Sequence, residues 1–203
     1  MNNQQKEDTA TLEILQAIDS KSDVTQRHLA SKLDVALGLA NSYLKRCVSK
    51  GLVKIQQAPA NRYFYYLTPK GFAEKSRLTT EYLSTSFDFY RKAGDSLTEV
   101  FSACEKNGKS KIVFCGISEL AEIASLRAYE FEISILGTLD TDSKKETFLS
   151  LPVWGKIIDI PEFDVCLITS LEKPRQDYDL LINSIDKDKI MVPSILGINQ
   201  GEN

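Results

Sequence analysis

From Pro69 to Cys104 apolar residues recur at helical spacing: Phe72, Leu78, Tyr82, Leu83, Phe87, Tyr90, Leu97, Val100, Phe101 and Cys104. Pro69 suits a first helical turn. Gly94-Asp95, followed by Ser96-x-x-Glu99 as a capping box, predicts a break into two helices. The turn Asn107-Gly108-Lys109-Ser110 ends the run and marks a boundary. A helical segment this long divides the chain into a module on either side. Its aromatic stripe predicts pairing with the same helix of a second copy; packing back onto the C-terminal module is the alternative.

The two flanks carry opposite charge. The chain has 203 residues, 25 basic and 28 acidic, for a net charge of −3. Residues 24–79 hold ten basic and two acidic residues, net +8, whereas residues 80–203 hold 13 and 21, net −8. Opposite signs predict modules with different partners, and the basic one attracts polyanions such as DNA. One histidine and four cysteines nearly exclude a classical zinc site of Cys and His. The N-terminus is polar, without the apolar core of a secretory signal. No apolar run approaches the ~18 residues of a membrane span. Cys47, Cys104, Cys115 and Cys166 are far apart with no CxxC spacing, so a cytoplasmic chain with free thiols is expected.

Leu12, Ile14, Leu15 and Ile18 predict a first amphipathic helix. Thr25 reads as the N-cap of a short second helix that buries Leu29, Ala30 and Leu33. A third helix is expected from Leu37 to Lys50, stopped by Gly51, with Leu37, Ala40, Leu44, Cys47 and Val48 buried. Leu52–Gln57 and Tyr63–Leu67 read as strands around a turn at 58–62, their aromatics serving mainly as hairpin core. Three helices and a hairpin are the order of a winged helix-turn-helix. In that arrangement Asn41, Ser42, Lys45 and Arg46 of the third helix would face a major groove. Gln26 and Arg27 would meet phosphates, and Asn61 and Arg62 would reach the backbone or minor groove from the wing.

The ordered set Thr25-Gln26-Arg27-His28-Leu29-Ala30, Leu37-Gly38-Leu39-Ala40-Asn41, Leu44-Lys45, Lys50-Gly51-Leu52-Val53-Lys54 and Tyr66-Leu67-Thr68-Pro69-Lys70-Gly71 resembles winged helix regulators of the MarR type. Within that type it is most similar to the subgroup linked to bacterial exopolysaccharide gene clusters. The resemblance covers residues 9–80. It implies a transcriptional regulator binding double-stranded DNA as a homodimer.

In the C-terminal module, Lys111–Gly116, Glu132–Asp140, Phe163–Thr169 and Lys189–Pro193 are apolar strands, most of them separated by helical segments. That alternation predicts a doubly wound parallel sheet. A dinucleotide fingerprint would place glycine at 116, 118 and 121, where the chain has Gly116, Ser118 and Ala121. Ser118 is the damaging departure, since glycine there admits a pyrophosphate. Asp140 lies at the end of the second strand, where a ribose-binding acid belongs. The runs Phe148–Gly155 and Ile160–Val165 resemble the small Rossmann-like domains that precede sugar acyltransferases and occur in polysaccharide enzymes.

The expected fold is α/β with two domains: a winged helix-turn-helix over 1–71, a helical connector over 72–108 and a small Rossmann-like parallel sheet over 109–203. Gly116, Ser118, Glu119 and Asp140 would form a ligand site for a nucleotide or nucleotide-sugar effector. A sensor domain and a relic that only stabilises a dimer stand level as readings of this module. No catalytic residues or metal ligands are assigned, because the only histidine, His28, lies in the other module and no Ser/His/Asp or Cys/His set exists. Two further readings stay open: an NADH-responsive repressor similar to the Rex family, against which Ser118 counts, and a polysaccharide-metabolism enzyme or enzyme partner whose winged helix docks protein.

Overall fold

A computed structural model describes residues 3–59 and 62–198. The chain divides into two compact units, Met1–Phe87 and Asp88–Asn203.

The first unit contains α1 (Asn3–Ser20), α2 (Gln26–Lys32), α3 (Leu37–Ser49) and an antiparallel hairpin of β1 (Val53–Ala58) and β2 (Arg62–Leu67). Ile14, Leu15 and Ile18 from α1, Leu29 from α2, Leu44 and Cys47 from α3, and Val53 and Tyr65 from the hairpin share one core. Thr25 caps α2 as its sequence position predicts: its hydroxyl accepts a 3.1 Å bond from the His28 N–H. Leu37 departs from expectation and is 44% exposed. It stands at the first residue of α3, and the buried stripe starts one turn later at Ala40, where α3 meets α1 and α2. In the hairpin Tyr65 is core and Phe64 half-buried, while Tyr63 and Tyr66 are exposed, so the aromatics serve as core less than expected: Tyr66 lies on the face opposite Tyr65, and Tyr63, on the same face, stands nearer the hairpin tip.

α4 (Pro69–Lys106) is a single helix of 38 residues that begins in the first unit and ends in the second. The Thr68 hydroxyl caps it by accepting from the Gly71 N–H at 3.0 Å. The break expected at Gly94-Asp95 does not occur. Ala93, Leu97, Val100, Phe101 and Cys104 are buried along one side. Burying each large apolar side chain is worth about 1.5–3 kcal/mol, against roughly 1 kcal/mol for glycine inside a helix. The Arg127 guanidinium lies over Gly94. Ser96 is no cap: buried, it accepts from the Ser194 hydroxyl (3.0 Å) and the Ile195 N–H (3.2 Å).

The second unit is built on a six-stranded sheet of β3 (Lys111–Cys115), β4 (Ser134–Leu139), β5 (Thr147–Phe148), β6 (Leu151–Trp154), β7 (Val165–Ile168) and β8 (Ile190–Met191). Its order is β5-β6-β4-β3-β7-β8. All neighbours are parallel except β5, which pairs antiparallel with β6 at the edge. Taken alone, the parallel strands run 3-2-1-4-5, the Rossmann sense, and the winding reverses between β3 and β7. The C-terminal part of α4 and α5 (Glu119–Ala128) cover one face over Ile112, Phe114, Val165 and Leu167. α6 (Pro174–Ile182) covers the other over Val113, Cys115, Cys166 and Ile168. Burial on both faces is why these strands read as unbroken apolar runs.

No α-helix follows β4, where the β5–β6 hairpin intervenes. Its loop, Leu149-Ser150, has φ of 53° and 62°, the twist a two-residue hairpin needs although neither residue is glycine or asparagine.

Candidate nucleic-acid interface and ligand cleft

In the first unit the basic charge is unevenly neutralised. Arg46 and Lys50 both bind Glu7 of α1, at 3.0 and 3.1 Å. Those two cations, Lys50 foremost, hold the Glu7 carboxyl below its usual range. Lys75 pairs with Asp19, and Arg77 with Glu74 and Glu81. Arg27, Lys32, Lys45 and Lys54 are exposed and have no ion-pair partner among the described residues. The free positive charge is therefore concentrated on α2, α3 and the first wing strand.

The DNA-facing residues expected from sequence do not all present themselves alike. Lys45 projects free from α3, Ser42 is half-buried beside it, and Gln26 and Arg27 are exposed at the start of α2. Arg46 is exposed but engaged by Glu7, with its guanidinium 5.8 Å from the Tyr43 ring. Asn41 is half-buried, and its side-chain carbonyl is buried without a hydrogen-bond partner. Arg62 opens β2, but its side chain lies outside the described residues, as does Asn61. Nothing in the sequence marks Lys32 or Lys54 as a DNA contact beyond the segment's net charge. Glu7, in a segment of net negative charge, gave no signal of a role on α3.

In the second unit a cleft of about 530 Å³ opens at the C-terminal ends of β3, β4 and β7, where the winding reverses. The fold brings Gly116, Ser118, Glu119 and Asp140 together along it. Gly116 has φ 99°, and a Cβ there would lie 2.5 Å from that of Ser170. This close approach seals β3 against β7 beneath the cleft. Ser118 caps α5: its hydroxyl accepts from Leu120 N–H (3.1 Å) and Ala121 N–H (3.4 Å) and donates to the Thr169 carbonyl. Asp140 staples two loops. One carboxylate oxygen accepts from Ile117 N–H (3.1 Å), the other from Asp142 N–H (3.1 Å) and Ser143 N–H (3.0 Å).

These bonds bear on the nucleotide that the fold leads one to expect. A pyrophosphate needs unclaimed N–H groups at the helix start and a positive field. Here the Ile117, Leu120 and Ala121 N–H groups already have acceptors. The cleft wall carries Glu119, Glu122, Asp140, Asp142 and Glu172 against Lys145 and Lys173. Lys173 is in turn bound by Asp142, with Asp177 at 3.8 Å. The N–H groups of Ser118 and Glu119, at the start of α5, are not among those claimed. Asp177, which sequence reasoning did not single out, lies under the cleft, and burial pushes its carboxyl above the usual range.

Among solved structures, the chain is similar to MepR, a transcription regulator of the Staphylococcus aureus multidrug efflux pump MepA, with 20% identity, 44% of this chain and 63% of that chain covered, and a TM-score of 0.35. It is similar to the PcaV transcriptional regulator of Streptomyces coelicolor at 17% identity, covering 47% and 75%, with a TM-score of 0.30. Human N-acetylserotonin methyltransferase in complex with SAM aligns over 81% of this chain and 66% of its own, at 15% identity and a TM-score of 0.31. The chain thus spans less than two thirds of the length of MepR. No curated protein sequence matches it. Residues 7–54, from α1 through the first residues of β1, match the family of winged helix-turn-helix DNA-binding domains.

Proposed function

We propose that this protein is a bacterial, cytoplasmic, sequence-specific transcriptional regulator. The observation that carries the reading is the free cationic surface of the winged helix: exposed Lys45 on α3, flanked by Arg27, Lys32 and Lys54, within a segment of net charge +8. A helix in the major groove reads base edges, while neighbouring lysines and arginines neutralise phosphates. The regulated genes are those of polysaccharide biosynthesis, a reading supported by the resemblance of residues 9–80 to that MarR-type subgroup.

The regulator acts as a homodimer. Phe72, Tyr82, Leu83, Phe87 and Tyr90 form an exposed apolar series on α4 that a second copy would cover, setting two recognition helices on a palindromic site. The cleft of the second unit serves as the effector site, shifting the population between DNA-competent and incompetent dimers. No catalytic step is assigned to the chain.

The test is binding of the full chain to the DNA upstream of its own gene, followed by fluorescence anisotropy against an unrelated duplex of equal length. Specific binding is expected, and equal weak affinity for both duplexes refutes the reading. Sedimentation at micromolar concentration checks the dimer, which Phe87→Glu should dissociate; a monomeric parent chain refutes that part alone.

A further inference from the structure

The first turn of α3 is apolar and uncovered. Ala36, Leu37, Gly38 and Leu39 are exposed in succession, Leu37 at 44% and Leu39 at 45%. The first polar side chain of the helix is Asn41, and the first charged one is Lys45. A soluble surface does not leave an apolar run of this length in water without a partner to cover it. Gly38 is an independent sign of an approaching body. A Cβ at this position would meet nothing within 4 Å, so the packing of the chain itself does not call for glycine. Glycine weakens a helix relative to alanine, and one use that offsets the loss is a close approach of backbone to a ligand. The surrounding charge names the occupant. Lys45 on α3, Arg27 and Lys32 on α2 and Lys54 on β1 are exposed, with no ion-pair partner among the described residues. Leu39 and Ser42 are three positions apart in α3, hence neighbours on one side of it. An apolar tip among free cations is complementary to a duplex, whose phosphates meet the cations while the groove meets the tip.

We propose that Leu37 and Leu39 read thymine methyl groups in the major groove, with Gly38 admitting the backbone close to the base edges, so that the bound site carries thymines where the first turn of α3 lands. This rests on the reading of the chain as a sequence-specific DNA-binding regulator. It adds an apolar reading element to the polar set of Asn41, Ser42 and Lys45. The residues at the start of a recognition helix are those that meet base edges. Among the four bases thymine presents a methyl group in the major groove, and an apolar side chain contacts that group where it can neither donate nor accept a hydrogen bond. Such a contact neutralises no phosphate and releases no counterion, so its effect is independent of salt.

The experiment uses the full chain and the DNA upstream of its own gene, prepared once with thymine and once with uracil in its place, which removes the methyl and keeps the pairing edge. Fluorescence anisotropy compares both forms with an unrelated duplex between about 50 and 200 mM salt. The thymine form should bind about fourfold more tightly for each methyl contacted, the worth of one buried methylene, and the ratio should hold across the salt series. Leu39→Ala, an exposed position where alanine is the better helix former, should lower the ratio, and Leu37→Ala/Leu39→Ala should bring it to one. Leu126→Ala, an exposed leucine of the second unit, should leave it unchanged. Gly38→Ala should raise the urea midpoint yet weaken specific binding, opposite signs that a role in folding alone does not produce. A ratio that survives in Leu37→Ala/Leu39→Ala, or one that fades as salt rises, would overturn the proposal. Gly38→Ala binding as tightly as the parent chain would overturn the close approach at that turn. Specific binding that is equal for the two forms refutes this inference alone and leaves the apolar turn to a protein partner. No specific binding to either form refutes the regulator reading as well.

Discussion

Removing one lysine from α3 tests the assignment of the DNA face. Lys45 is exposed and has no ion-pair partner among the described residues, whereas its neighbour Arg46 shares Glu7 with Lys50 at 3.0 and 3.1 Å. Each phosphate contact contributes about −0.9 to the slope of log affinity against log salt. Lys45→Ala should therefore make the slope shallower by about 0.9, which shrinks the affinity lost between about 50 and 200 mM salt by roughly threefold. Arg46→Ala should change the slope less, because its charge is already partly met by Glu7. Glu7→Gln should have the opposite sign, releasing both cations and steepening the slope by as much as about 1.8. The assay is fluorescence anisotropy of a labelled promoter duplex across a salt series, with circular dichroism confirming that each variant is folded. An unchanged slope in Lys45→Ala, or a shallower one in Glu7→Gln, would refute the placement of the interface on this side of α3.

Three further outcomes follow from the second unit. Leu149 and Ser150 hold left-handed backbone at φ 53° and 62°, so the double change Leu149→Asn/Ser150→Gly should raise stability by about 1 kcal/mol, read as a higher urea midpoint. Gly116→Ala meets both a positive φ and a Ser170 Cβ at 2.5 Å; a loss of about 2–4 kcal/mol is expected, and a wild-type midpoint would contradict the close packing of β3 on β7. The Asp164 carboxylate accepts from Lys111 N–H at 2.8 Å and Ser110 N–H at 2.9 Å, which holds its pKa below the usual range. Its contribution is present above the unfolded carboxyl pKa and fades as pH falls through the lower folded value, so Asp164→Asn should flatten the decline of melting temperature in acid.

Much of the first unit was legible because its signals are local. Thr25 caps within its own turn, the α1 stripe repeats every three or four residues, and β-forming residues flank a turn in the hairpin. The misread positions depended on distant partners. Gly94 looked like a helix break, since glycine and a capping box are local cues, but the burial of Leu97 and Phe101 and the contact of Ser96 with Ile195 override them. Leu37 continued the apolar spacing of α3 yet stands beyond its packed turns. The thiols offered no pairing in sequence; the sheet sets Cys115 on β3 and Cys166 on the neighbouring β7, and Cys166 together with burial pushes the Cys115 thiol up.

The cleft divides along the same line. Gly116, Ser118 and Asp140 were identifiable because the first turn of a parallel sheet has a recognisable spacing, and the sheet order then placed them at the winding reversal. Residue order alone thus settled that a basic helical module precedes an acidic parallel-sheet module, because charge sums and short-range periodicity are properties of neighbouring residues. Only the tertiary structure decided which charges remain free and which amides are already satisfied. Glu7 reaches Arg46 across 39 positions, and Asp177 comes beneath Asp140 from another strand's crossover. Pairing of that kind depends on distances in space, which the order of residues along the chain does not carry.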